Sequence, residues 1–254
     1  MCTWLKVFGE RNSGTTFVQS LLAQNLPVKI LPGGTPWILY RGFPFELVRD
    51  TWFWWTEKRN LGWKHRFPDE MNIREFSKKK QLLVVSVFKN PYAFLLSLFK
   101  RPYHLGLRSK TFTAFLREPC PVVRREHAKG AFNNPIELWN AKNRVLLDLS
   151  QLNLPVILLR YENVLADPEA AVERIGRVCH LKQTGLFRGV PCSTKRDRER
   201  SFEDFQSHYL NEKWQADLTR EQVEIINDFL DIHLCRELGY AVLDAESFAK
   251  RAIV

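Results

Sequence analysis

The sequence predicts an α/β protein, a central parallel sheet with helices on both faces. Two runs carry that reading. "QLLVVSVF" (81–88) and "PVILLRY" (155–161) are almost wholly apolar and rich in β-branched residues, as strands buried on both faces must be. A third observation is order: each strand is followed by a helix start, the alternation that builds parallel sheets.

The elements follow in turn. "TWLKVF" (3–8) reads as a strand, residues 9–14 as a glycine-bearing turn, and "TTFVQSLLAQN" (15–25) as a helix with Phe17, Leu21 and Leu22 at helical spacing. Residues 27–60 show no period and are broken by Pro27, Pro32, Gly33, Gly34, Pro36, Gly42 and Pro44, so an irregular, aromatic-rich excursion is expected there. "LGWKHRF" (61–67) reads as a short strand ending at His65, and residues 69–79 as a helix. Pro91 suits the first turn of a helix that follows the 81–88 strand. Residues 134–152 read as a long helix. Asp167 and Pro168 are the N-cap and first position of the helix after strand 155–161. Residues 190–216 are polar and basic. Thr219 and Gln222 form a capping box that opens a last helix running to about Leu238, ahead of Gly239.

At 254 residues and 45% hydrophobic, the chain can bury one substantial core, and a single domain over 1–254 is expected. A net charge of +10 suits an anionic ligand, nucleic acid or an acidic membrane surface. The basic residues are dispersed rather than set in a stripe with interleaved aromatics, which argues against nucleic acid. Five scattered cysteines (Cys2, Cys120, Cys179, Cys192, Cys235) show no metal spacing and read as reduced thiols. The first strand begins too early to leave room for a signal peptide. No apolar stretch reaches the roughly 18 residues of a membrane span. A cytoplasmic protein is expected.

The turn after the first strand carries the chemistry. "GERNSGTT" (9–16) fills the frame of a phosphate-binding P-loop, G-x-x-x-x-G-K-[ST], but Thr15 stands at the lysine position. Such a turn still offers a nest of backbone N–H groups and a helix N-terminus to a phosphate. Ser13, Thr15 and Thr16 add hydroxyls. Without the lysine, and with Lys89 and Asn90 rather than an acid ending the strand at 88, a Mg-triphosphate machine is disfavoured.

"ERNSGTTF" resembles the 5′-phosphosulfate loop of sulfotransferases, P-K-S-G-T-T-W, enzymes that use 3′-phosphoadenosine 5′-phosphosulfate (PAPS) on a P-loop-like, three-layer fold. "FKNPYAFLLS" is similar to the family's 3′-phosphate motif, R-[ND]-P with a serine eight residues after the arginine; Lys89, Asn90, Pro91 and Ser97 fill it. "LLRYENVLADP" looks like Y-E-D-L-x-x-D-P, which puts Tyr161 at the adenine. "WKHRFP" is similar to K-x-H-[LF]-P, whose histidine is the catalytic base, here His65.

The resemblance covers residues 4 to about 180. It implies a nucleotide site formed by Asn12, Ser13, Gly14, Thr15, Thr16, Phe17, Lys89, Ser97 and Tyr161. Lys195 and Arg196, in "STKRDRER", are candidates to close over the 3′-phosphate, with Arg198 beside them. Three departures stand out. The usual loop lysine aligns with Asn12, so that Arg11 is a candidate to supply the charge. The motif arginine is Lys89. Lys64 sits one residue before His65 rather than two.

The implied reaction is sulfuryl transfer from PAPS to a hydroxyl or amine, in line and without a metal. His65 would take the acceptor proton, and Arg11, with Lys64, would steady the transferring group. The acceptor is a small molecule, glycan or lipid. Four of the eight tryptophans (Trp52, Trp54, Trp55, Trp63) fall in one short stretch, where they either cover the core or offer flat faces to a ligand. A small-molecule kinase and a degenerate homologue that binds nucleotide without turnover are the alternatives.

Overall fold

The computed structural model describes residues 3–36, 45–103, 109–128, 130–190 and 201–249. Strand β1 (Thr3–Gly9) leads to helix α1 (Thr15–Asn25) and strand β2 (Val28–Ile30). Helices α2 (Phe45–Asn60) and α3 (Glu70–Lys79) precede strand β3 (Leu82–Phe88) and helix α4 (Pro91–Lys100). Helices α5 (Phe112–Phe115) and α6 (Pro135–Asp148) come before strand β4 (Val156–Arg160). Helices α7 (Tyr161–Ala166), α8 (Pro168–Val178), α9 (Phe202–Leu210), α10 (Arg220–Phe229), α11 (Ile232–Glu237) and α12 (Glu246–Ala249) complete the described chain.

The four strands form one parallel sheet in the order β2-β1-β3-β4. The α/β class and the helices on both faces are as the sequence predicts. Side chains alternate across the pleat. Phe8, Leu82, Val84 and Phe88 face a core built with Phe94 and Leu95 of α4, Ile136 and Trp139 of α6, and Ile226 of α10. Leu5, Val7, Leu83, Val85, Val87 and Ile157 face the other way, onto Phe17 and Leu21 of α1, Val164 of α7 and Val172 and Ile175 of α8. Phe8 is fully buried, and truncating it to Ala would cost about 3–5 kcal/mol.

Capping chemistry fixes the helix starts. Asn90 accepts the Tyr92 and Ala93 amides at the head of α4, with Pro91 at its first position. Asp167 accepts the Ala170 amide at the head of α8.

Three expectations are corrected and one element is added. The segment 27–60 contains β2 and the 16-residue α2 rather than only irregular chain. Residues 61–67 are not a strand; Leu61 and Gly62 both have positive φ (60° and 74°) and turn the chain too sharply to pair. The polar stretch beginning at 190 holds α9, started by a Ser201–Asp204 capping box. The last helix is two. Leu230 is extended, and Asp231 begins α11 by accepting the Leu234 amide at 2.8 Å.

The strand order sets where a ligand belongs. From β1 the chain goes to β2 on one side, then to β3 on the other, so the order reverses between β1 and β3. Open α/β sheets bind ligands outside the carboxyl ends of strands at such a switch point. The loop 9–14 and the Lys89–Asn90 step flank it.

One buried cation braces the segment behind the loop. Lys6 of β1 is fully buried, and its ammonium donates to the carbonyls of Pro32 (3.1 Å), Asn60 (2.7 Å) and Gly62. Three carbonyls match its three donors.

Candidate active site

The loop 9–14 has a nest's geometry. Asn12 (φ 61°) and Gly14 (φ 80°) are left-handed, and the Ser13 amide donates to the Glu10 carbonyl at 3.2 Å. Gly14 serves as the N-cap of α1 and brings no side chain to its first amides; no acidic residue lies in that turn. Those N–H groups and the positive end of α1 are suited to an anion. Gly14 is also sterically required. A Cβ there would come within 2.2 Å of the Tyr161 ring.

A lysine from elsewhere in the chain reaches the end of the loop. The Lys64 ammonium donates to Thr16 Oγ1 at 2.6 Å, at the head of α1. Two backbone bonds hold Lys64 there: Gly9 N to Lys64 O (3.0 Å) and Lys64 N to Gly33 O (3.3 Å). Gly33 permits the approach, since a Cβ on it would lie 2.8 Å from Lys64 Cβ.

His65 follows directly, half-buried, with Nδ1 2.6 Å from the Gly9 carbonyl oxygen. A carbonyl only accepts, so Nδ1 carries the proton, and in the neutral ring Nε2 keeps its lone pair. Burial pushes the His65 pKa well below its ordinary value. The positive charges of Lys64, Arg11 and Lys142 push the same way, and the Gly9 bond opposes them. The imidazole is therefore neutral near pH 7 and able to accept a proton at Nε2.

Arg11 is engaged within the protein. Its guanidinium turns inward, is buried, and pairs with Glu10 (2.7 Å) and Glu126. Lys142 of α6 joins them, 3.0 Å from Glu126 and 3.5 Å from Glu10, and donates to the His65 carbonyl. Two buried acids meet two buried bases, so the charges cancel. Burial opposes ionisation of Glu126, but Lys142 and Arg11 hold its pKa below the usual value. The cluster sits beneath the loop and fixes the position of His65 from behind. Trp63 packs in the same region, with the guanidiniums of Arg125, Arg11 and Arg49 at 4.5, 4.7 and 5.4 Å from its ring.

The two ends of the second motif meet. Lys89 ends β3 and Ser97 lies two turns into α4, with Lys89 Nζ 2.9 Å from Ser97 Oγ. The Lys89 ammonium is buried and also donates to the Tyr209 hydroxyl (2.9 Å) and the Asn12 carbonyl (3.2 Å). Burial opposes ionisation of Tyr209, but the Lys89 ammonium and the bonds from Lys89 and Ser97 hold its phenol below the ordinary pKa. The Asn12 side chain itself turns away, to the Arg101 carbonyl at 3.2 Å.

Tyr161 is buried over Gly14, edge-on to Phe17 (6.3 Å) and Tyr209 (5.3 Å). Its neighbour Glu162 accepts the Asn90 amide at 2.9 Å, which ties the end of β4 to the end of β3. Phe17 and Thr15 are packed inward, so they face the loop through backbone rather than side chain. Lys195, Arg196 and Arg198 lie outside the described residues.

Glu126, Lys142 and Tyr209 are the site residues that sequence reasoning missed. Lys142 left a readable signal. It falls on the buried stripe Leu138, Trp139, Lys142, Leu146, where a cation needs an acid nearby.

No protein family and no curated protein matches this chain. Among solved structures it is similar to the sulfotransferase domain from the Synechococcus PCC 7002 olefin synthase, at 11% identity and a TM-score of 0.38, over 90% of this chain and 94% of that one. At that level of likeness the chemistry must be read from the residues themselves.

Proposed function

We propose that this chain is a sulfotransferase, a single domain that moves a sulfuryl group from PAPS to a hydroxyl or amine with His65 as general base. The observation that carries the reading is the pairing of two consecutive side chains. Lys64 brings an ammonium to Thr16 at the head of α1, and His65 beside it is held as the Nδ1–H tautomer by Gly9.

The donor fits the residues present. Backbone amides of Ser13 to Phe17, with the Thr16 hydroxyl, would hold its 5′-phosphate. Lys89 and Ser97 would hold the 3′-phosphate, with Tyr161 toward the adenine. Bound there, the donor supplies an activated sulfuryl group. The protein's own part is to bind, orient and move one proton. Lys64 places positive charge where negative charge gathers on the departing phosphate. His65 Nε2 accepts the acceptor's proton, and Gly9 and the Lys142 contact keep its ring in place.

A second reading is favoured by the Tyr209 hydroxyl on Lys89. All three Lys89 donors already have partners, which suits a homologue that binds nucleotide weakly or without turnover.

Calorimetric titration with adenosine 3′,5′-bisphosphate, with and without Mg-ATP, tests the nucleotide site. Metal-independent bisphosphate binding supports the reading, and preference for Mg-ATP would revive the kinase. With the site established, turnover of PAPS over an acceptor panel separates an active enzyme from a degenerate one.

A further inference from the structure

Helix α2 sorts its charges in a way the site does not require. Its exposed residues are Leu47, Thr51, Trp54, Trp55, Lys58 and Arg59, one stripe at helical spacing. Leu47 is 63% exposed, Trp54 66% and Trp55 80%. None of the exposed residues is acidic. The three acids of the helix turn to partners in the protein. Glu46 and Asp50 pair with Arg125 at 2.6 and 2.8 Å, and Glu57 pairs with Arg66 and His127, each at 3.1 Å. What α2 offers to solvent is two indoles, a leucine and Thr51 beside two cations, with the half-exposed Glu46 carboxylate at its start neutralised by Arg125, on a chain of net charge +10.

Two neighbouring tryptophans at this exposure are costly to leave in water, and nothing in the core needs them. Phe53 of the same helix is 1% exposed and already fills the inward position. Indoles favour the headgroup level of a bilayer, where the ring is apolar and the N–H stays wet. Lysine and arginine next to them are drawn to anionic headgroups. An acidic polymer would use the cations but leave Leu47 without a partner.

We propose that α2 is an interfacial docking helix, which seats the protein on an anionic lipid membrane through Trp54, Trp55 and Leu47, with Lys58 and Arg59 reaching the headgroups. The helix lies in the plane of the interface. This inference is independent of the sulfotransferase reading.

The test is co-sedimentation of the full chain with phosphatidylcholine vesicles, with and without 30% phosphatidylglycerol, in about 0.1 M salt. Tryptophan emission is recorded in parallel with brominated acyl chains as quencher. The Trp54→Ala/Trp55→Ala variant keeps every charge, so it separates docking from the general attraction of a basic protein. The expected result is phosphatidylglycerol-dependent binding with a blue shift and quenching. In the double variant binding weakens about tenfold or more and the shift is lost. Lys58→Gln/Arg59→Gln weakens binding and reduces its salt dependence. Failure to pellet with anionic vesicles overturns the proposal. So does pelleting that the tryptophan variant retains in full. Tryptophans left unquenched in bound protein, with equal binding to heparin, would assign the face to acidic polymers instead.

Discussion

The Tyr209 hydroxyl lies 2.9 Å from the Lys89 ammonium, on the same nitrogen that Ser97 engages from the opposite end of the motif. A phosphate that comes to Lys89 must displace one of its partners, and a phenol on the separate helix α9 is freer to leave than the α4 serine. Tyr209→Phe removes one acceptor from a buried ammonium. We expect a loss of about 1–3 kcal/mol in denaturant unfolding, together with bisphosphate binding several-fold tighter than wild type. Calorimetry and urea titration on the same preparation check both. Weaker bisphosphate binding would instead make the phenol part of the nucleotide clamp.

Folding stability depends on pH through His65. Its folded pKa is depressed, so the unfolded chain takes up a proton first as pH falls through about 6.5. The stability contribution is full above that value and is lost progressively below it, down toward the folded pKa. His65→Gln should flatten the stability profile below pH 6.5 by up to one proton's slope. If the histidine is the base, kcat/KM in the wild type stays level from pH 8 to 6.5 and falls only below. A slope of zero difference between the two proteins would sink the assignment of the shift.

Replacing the base should separate binding from turnover. His65→Ala is expected to lower kcat by about 10²–10⁴-fold while the bisphosphate Kd changes little. Lys64→Met is expected to lower kcat/KM by about 10²–10³-fold. Full rate in either variant removes that residue from the mechanism.

Arg11 should behave as a structural residue. Arg11→Met leaves Glu10 and Glu126 buried with Lys142 alone, at a cost of about 3–5 kcal/mol in unfolding free energy. Thermal and chemical denaturation measure it. A variant as stable as wild type but unable to bind bisphosphate would return Arg11 to the loop.

The site was legible wherever its partners are close in sequence. The turn between β1 and α1 and the eight-residue step from Lys89 to Ser97 follow from one strand end and one helix period. Arg11–Glu126, Lys142–His65 and Lys89–Tyr209 join residues 115, 77 and 120 apart, and no local pattern announces such pairs. Arg11 illustrates the difficulty: its position beside the loop suggested an anion, and its burial with two acids 115 and 1 residues away decided otherwise. Helix α2 escaped detection because its solvent face carries Trp54 and Trp55 while its inner face buries Arg49 and Asn60, which blurs the apolar stripe. In α9 no residue is fully buried, so no apolar stripe marks it in the sequence.

Lys6 fixes part of the candidate site before any ligand arrives. By holding the Pro32, Asn60 and Gly62 carbonyls from beneath, it fastens the turn before Lys64 and His65 to the central strand. Those two side chains stand on an anchored platform rather than on a hinge. The entropy of placing them is lost once, when the chain folds, and not again at each encounter with substrate. Under the proposed function, association at this half of the site is a lock-and-key event, and any slow conformational step falls to the Tyr209 half.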